Sequence, residues 1–129
     1  MKKVLFLYSL LVTFSFQVKA MDVYECEALD ISMNIEGKFE HDRTFTGYKF
    51  VIDGNDAVVF EGDTEINRPV LLLRNEENKI DLIGAGALTT EIFTIVKRDK
   101  TLQYVKTGYI KGGYTIMGNS KCRYKSVDK

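Results

Sequence analysis

Turn-forming clusters recur about every eight to twelve residues along most of this chain. That spacing is too close for helices of useful length and suits short strands. The clearest are Asp53-Gly54-Asn55-Asp56, Glu76-Glu77-Asn78 and Lys97-Arg98-Asp99-Lys100. Between them β-branched and aromatic residues dominate, and side-chain character alternates with a period of two. In Tyr24-Glu25-Cys26-Glu27-Ala28 apolar residues alternate with acidic ones, and in Lys121-Cys122-Arg123-Tyr124-Lys125 they alternate with basic ones. Each cysteine falls on the apolar side of its segment.

The clusters define three hairpins. Thr44 to Ile52 pairs with Ala57 to Glu61 around an Asp-Gly turn, Val70 to Asn75 with Lys79 to Gly84, and Glu91 to Val96 with Thr101 to Lys106. Pro69 stands where a first strand residue can lack its donor. Tyr114 to Met117 precedes a final strand around Cys122. Leu29 to Ile35 fits a strand or a short helix and is read as strand. Glycines 84, 86, 112, 113 and 118 fall within or beside strands, where bulges and sharp curvature use them. The expected fold is all-β: a small antiparallel meander barrel or sandwich of about seven to nine strands, closed by one disulfide.

The first twenty residues have a different logic. Lys2 and Lys3 precede an apolar run from Val4 to Phe16, and Val18-Lys19-Ala20 offers small residues where signal peptidase looks. This predicts residues 1–20 as a cleaved signal peptide and 21–129 as a single barrel-like domain. The run is shorter than the roughly 20 residues of a spanning helix, so a transmembrane anchor is not expected. A lipoprotein would carry cysteine directly after the cut, where this chain has Met21. The expected location is the periplasm or the exterior of the cell.

Without Lys2, Lys3 and Lys19, 15 basic residues face 18 acidic ones, a net charge of about −3. Phosphate binding needs a basic excess, so nucleic acid is not an expected partner. The charge is unevenly spread: residues 21–75 hold 12 acids and 5 bases, residues 76–129 hold 6 acids and 10 bases. Acidic and basic strands lying side by side would neutralise this asymmetry. Cys26 and Cys122, the only cysteines, should pair in an oxidising compartment, which makes their strands antiparallel neighbours with Cα atoms about 4.4–6.8 Å apart. Alternation then sets Glu25 and Glu27 against Lys121 and Arg123. A reactive thiol pair or a metal site would need Cys-x-x-Cys or nearby histidines, and neither is present.

No catalytic residue, metal or cofactor is expected. Ser32, Ser120 and Ser126 lack a Gly-x-Ser-x-Gly setting, and His41, the only histidine, lies in Glu40-His41-Asp42-Arg43, a charged segment read as a solvated loop. Gly84-Ala85-Gly86 leads into another strand and not into the helix that a phosphate cradle needs. Glu61, Asp63 and Glu65 could share a strand face, but paired-acid hydrolysis requires a cleft that so small a domain rarely builds. The Asp53 to Asp56 turn lacks the ligand loop of a calcium site.

One segment carries a recognition signal: Lys106-Thr107-Gly108-Tyr109-Ile110-Lys111-Gly112-Gly113-Tyr114. Its tyrosines, set among glycines and lysines, suit aromatic anchoring of a partner through Tyr109, Lys111 and Tyr114, or simply covering of a barrel mouth. With Tyr24-Glu25-Cys26 at one end, Lys121-Cys122 at the other and a meander between, the chain resembles in outline small secreted β-proteins of Gram-negative bacteria. Among these it is similar to the membrane-bound inhibitors of C-type lysozyme. That resemblance implies an eight-stranded barrel clasped by a disulfide, and a loop inserted into an enzyme's cleft. The family's serine-glycine-tyrosine loop is not visible here and only Lys111-Gly112 matches its later lysine-glycine element, so no inhibitory residue is carried over. The expected function is a non-enzymatic binding module for another exported protein, such as an inhibitor or immunity factor of a secreted enzyme. The alternative is a lipocalin-like carrier of a small apolar ligand, which requires an internal cavity.

Overall fold

In the computed structural model the described residues are 20–62, 67–86, 88–109 and 112–128, with the backbone alone described at 42–45. Ten strands follow one another: β1 (Ala20–Cys26), β2 (Leu29–Ile35), β3 (Lys38–Phe45), β4 (Tyr48–Asp53), β5 (Asp56–Glu61), β6 (Asn67–Asn75), β7 (Lys79–Ala85), β8 (Thr89–Val96), β9 (Thr101–Gly108) and β10 (Tyr114–Asp128). All pairings are antiparallel. Eight strands, in the order β1-β4-β5-β6-β7-β8-β9-β10, close on themselves through β1–β10, and β2 and β3 extend the sheet from β10. Closure removes the open edges that a meander would otherwise present. Leu29–Ile35 is the strand β2.

The three hairpins predicted from their turns are present as β4–β5, β6–β7 and β8–β9. Three boundaries differ from expectation. Glu40-His41-Asp42-Arg43 is not a loop but the middle of β3, held by the β2 ladder, with His41 nonetheless exposed. The strand expected from Thr44 to Ile52 is broken at Thr46-Gly47. The break follows from close approach: a Cβ on Gly47 would lie 2.4 Å from the Cys26 carbonyl oxygen and 3.1 Å from the Glu27 carbonyl carbon. The last two predicted segments are one strand, the 15-residue β10.

β10 is long because it serves two partners in turn. Its first half pairs with β2, from Tyr114 opposite Ile35 to Asn119 opposite Asp30, and its second half pairs with β1, from Cys122 opposite Cys26 to Asp128 opposite Ala20. Between these ladders Glu27, Ala28 and Leu29 face only Ser120 and Lys121, so one extra residue bends the β1–β2 segment. A one-residue shift exchanges the faces of a strand. It therefore lets Tyr24 and Cys26 point inward before the bend and Leu29 and Ile31 point inward after it, all of them buried.

The core fills the barrel. Tyr48 and Phe50 of β4, Phe93 of β8 and Tyr104 of β9 meet across the barrel, fully buried, with ring centroids 5.1 to 6.2 Å apart. Such spacings favour tilted and edge-to-face contacts. Ile80, Leu82, Ile95 and Leu102 complete the packing toward the tight-turn end. That end carries the turns after β4, β6 and β8, together with the start of β1 and the end of β10. The opposite end, called the rim below, carries Thr46-Gly47, Gly62, Gly86, Leu88, Tyr109, Gly112-Gly113 and the turn Glu36-Gly37 at the tip of β2–β3.

The disulfide predicted from the sequence joins Cys26 and Cys122 across 96 residues, with an S–S distance of 2.02 Å. Its Cα atoms are 3.9 Å apart, closer than the expected range. The reason is register. Glu27 N donates to Lys121 O at 2.9 Å, which makes the adjacent Cys26–Cys122 pair a non-hydrogen-bonded one, the class with the closest backbones. The bond suggests an oxidising compartment, extracellular or periplasmic. Among the described residues no helix is long and apolar enough to cross a membrane. The proposed signal peptide falls on residues 1–19, outside the described part, plus Ala20; cleavage after Ala20 would remove only the first residue of β1.

Candidate functional site: the barrel rim and the polar layer beneath it

β9 and β10 deliver the predicted recognition loop to the rim. Tyr109 follows the last residue of β9 and is 82% exposed, with its backbone N–H donating to Leu88 O at 3.3 Å across the neighbouring loop. Leu88 is exposed as well. Tyr114 behaves differently. Its ring lies over Gly108, where an added Cβ would come within 2.4 Å of it, and it packs half-buried against the core. Thus Tyr109 is presented to solvent and Tyr114 covers the mouth. Lys111 lies outside the described residues. The tip of β2–β3 adds exposed Ile35, opposite Tyr114, and Phe39, which is 73% exposed. At that tip Glu36 and Gly37 both have positive φ, 51° and 82°, the geometry of a two-residue turn matched to strand twist.

Beneath the rim sits a layer of polar groups inside the barrel. Arg68 of β6 reaches Glu91 of β8, Nη2 to Oε2 at 2.5 Å, while the Tyr104 hydroxyl donates to Glu91 Oε1 at 2.7 Å. Glu91 is buried and Arg68 half-buried. Gly84 on the strand between them makes room, since a Cβ there would lie 2.8 Å from Arg68 Nη1 and 3.2 Å from Glu91 Oε2. The guanidinium also lies 5.9 Å above the Phe93 ring. Burial, with help from Tyr48 and then Glu91, pushes the Tyr104 hydroxyl far above the ordinary tyrosine range, and burial pushes Tyr48 up too. Both stay protonated donors at any physiological pH. The carboxylate is thus balanced by a guanidinium and a phenol, a structural solution to a buried charge.

His41, Ser32 and Asp30 come together on the outer face of β2–β3, a grouping invisible without the register Ser32↔His41. Ser32 Oγ is 3.4 Å from His41 Nδ1, and His41 Nε2 is 3.0 Å from Asp30 Oδ1. A nucleophile needs its base within about 2.6–3.2 Å and donors around a developing oxyanion, usually in a cleft. Here His41 and Asp30 lie in solvent on a strand pair, and the arrangement acts as a surface clasp between β2 and β3. No group of three or more possible metal ligands is found among the described residues. Of the acidic trio, Glu61 ends β5 at the rim, and Asp63 and Glu65 lie outside the described residues.

On the far side of the barrel the opposition of charges predicted from alternation is present at Glu25, whereas Glu27 meets Lys121 through the backbone. Glu25 on β1 sits opposite Arg123 on β10 and Lys49 on β4, with its carboxylate 3.1 Å from Lys125 Nζ and 3.5 Å from Arg123 Nη2. A hydrogen bond from Lys125 and the nearby cations hold the Glu25 carboxyl below its usual range. The Tyr124 hydroxyl donates to Asp22 at 2.7 Å.

Comparison with protein-family models, with curated proteins and with solved structures finds no match. The closed eight-stranded barrel and its disulfide are those of the expected all-β class.

Proposed function

We propose that this protein is an exported, non-enzymatic binding module, an inhibitor or immunity factor of a secreted enzyme, that engages its partner through the rim. The observation that carries this is the gathering of Ile35, Phe39, Leu88 and Tyr109, large apolar side chains left exposed, on the strand ends and loops of one end. A rigid barrel presenting loop-borne aromatics is a common recognition design. The disulfide and the signal-like leader support an exported protein, periplasmic or secreted. The packed quartet of Tyr48, Phe50, Phe93 and Tyr104 occupies the space that a carrier would need for its ligand, which favours the binding module over the lipocalin-like alternative. The test is a native pull-down from periplasmic extract and culture medium with the wild type and with Leu88→Ser, Tyr109→Ala. A discrete partner captured by the wild type and lost with the variant is expected. Equal capture by both, or no partner, would overturn the proposal.

A further inference from the structure

The outer wall of the barrel is divided by charge. Around β1, outward positions carry Glu25, Lys49, Arg123 and Lys125. On a second wall every outward position from Thr90 to Val96 on β8, from Thr101 to Thr107 on β9 and from Thr115 to Asn119 in the first part of β10 is uncharged. The chain as a whole is 28% charged, so a three-strand surface without one charge is a marked departure.

Register aligns the apolar members of this wall. Leu71 is opposite Ile83, Ile83 opposite Ile92, Ile92 opposite Val105, and Val105 opposite Met117, a single apolar row across five strands. Leu71, Ile92 and Met117 are 61%, 42% and 55% exposed. Threonines stand on the rim side of the row, and Thr94, Gln103 and Asn119 stand on the other; charges begin only at the flanks, with Asp81 and its partners Arg74 and Lys79 beside Thr94, and Asp30 beside Asn119. An apolar centre depleted of charge within a polar border, with the charges confined to its flanks, is the anatomy of a protein interface.

We infer that this wall docks a second copy of the same chain, forming a two-fold dimer with Ile92 near the axis. A surface whose centre is free of charge meets its own image without confronting like charges there, and the flanking ion pairs of Asp81 with Arg74 and Lys79 are already neutralised. A charged partner would leave its charges buried and unpaired. The charged wall cannot take part in the same contact, so association closes at two copies. The face spans about 20 Å across the strands and about 20 Å along them, roughly 400 Å² in projection and more as accessible surface. A standard interface takes about 800 Å² per partner, so a reversible dimer with an interface at the small end of the range is expected. Both rims remain free in such a dimer, and the inference does not depend on the proposed function.

Sedimentation of the exported, oxidised protein tests it. The wild type should be dimeric at about 100 μM and dissociate on dilution. Ile92→Lys and Ile92→Asp should each raise the dissociation constant at least about tenfold, and an equimolar mixture of the two should re-associate, which a misfolded variant could not do. Met117→Lys and Met117→Asp provide the same comparison at a second position. A wild type that stays monomeric at about 100 μM, or a dimer indifferent to these charges, would overturn the inference.

Discussion

Cys26 and Cys122 lie directly opposite one another at the point where β10 leaves β2 and takes up β1, with their Cα atoms 3.9 Å apart. The bond therefore locks the site at which the sheet changes partners and closes the barrel, as well as linking the two ends of the domain.

Loss of this bond should dominate any loss of nearby charge pairs. For a loop of 96 residues the chain-entropy model gives about 4–5 kcal/mol. Cys26→Ser with Cys122→Ser should lower the urea midpoint sharply. Reversal of Glu25 and Glu27 to Lys should lower it only slightly, by an amount that shrinks with added salt, because Glu25 and its partners are solvent-exposed. Two free thiols in the native protein, detected by labelling, would contradict the first expectation.

The buried pair predicts an asymmetric mutant series. Arg68→Leu leaves Glu91 without its cation and should cost about 2–3 kcal/mol, discounted from the range for fully buried pairs because Arg68 is half-buried. Arg68→Leu with Glu91→Leu should recover part of that loss. Equal or additive losses in denaturant titrations would mean that the two groups do not act as a pair.

Three inward-facing tyrosines set the alkaline limit. Burial raises Tyr24 to about 12 and carries Tyr48 and Tyr104 higher still, from an ordinary value of 10.0. A raised folded-state pKa contributes stability that is complete below the unfolded value and lost as pH climbs toward the folded one. The urea midpoint should therefore hold to about pH 10 and then fall. Tyrosinate absorbance from Tyr24, Tyr48 and Tyr104 should appear only with unfolding. A single titration without unfolding would contradict this.

Gly47 tests the bend. Gly47→Ala sets a Cβ against the Cys26 carbonyl and should cost more than about 2 kcal/mol, whereas Gly54→Ala, at φ 61° with open space around it, should cost about 1 kcal/mol. Equal effects on the thermal midpoint would show that the close approach at Gly47 carries no weight.

Much of this architecture could be read from the chain because turn chemistry is local. Asp53-Gly54, Glu76 to Asn78 and Lys97 to Lys100 each announce a reversal, and the two cysteine segments alternate cleanly. The β2–β3 extension was hidden, since Glu40 to Arg43 has the composition of a loop and is held as a strand only by pairing with β2. The polar layer was hidden for another reason. β8 is apolar on both faces, with Phe93 and Ile95 inside and Ile92 outside, so alternation gives no sign that Glu91 points inward. Tyr109 and Tyr114 look equivalent in sequence, and only the close fit of Tyr114 over Gly108 separates a mouth cover from an exposed anchor.

The central claim is recognition through the rim, and site-specific photo-crosslinking in the exported protein tests it most directly. A photoreactive phenylalanine placed at Tyr109, Leu88 or Phe39 should yield a discrete heavier adduct with another exported protein. The same group at Lys125, on the charged wall, should yield none. Adducts at Lys125 as abundant as at Tyr109, or no adduct at any rim position, would contradict the account.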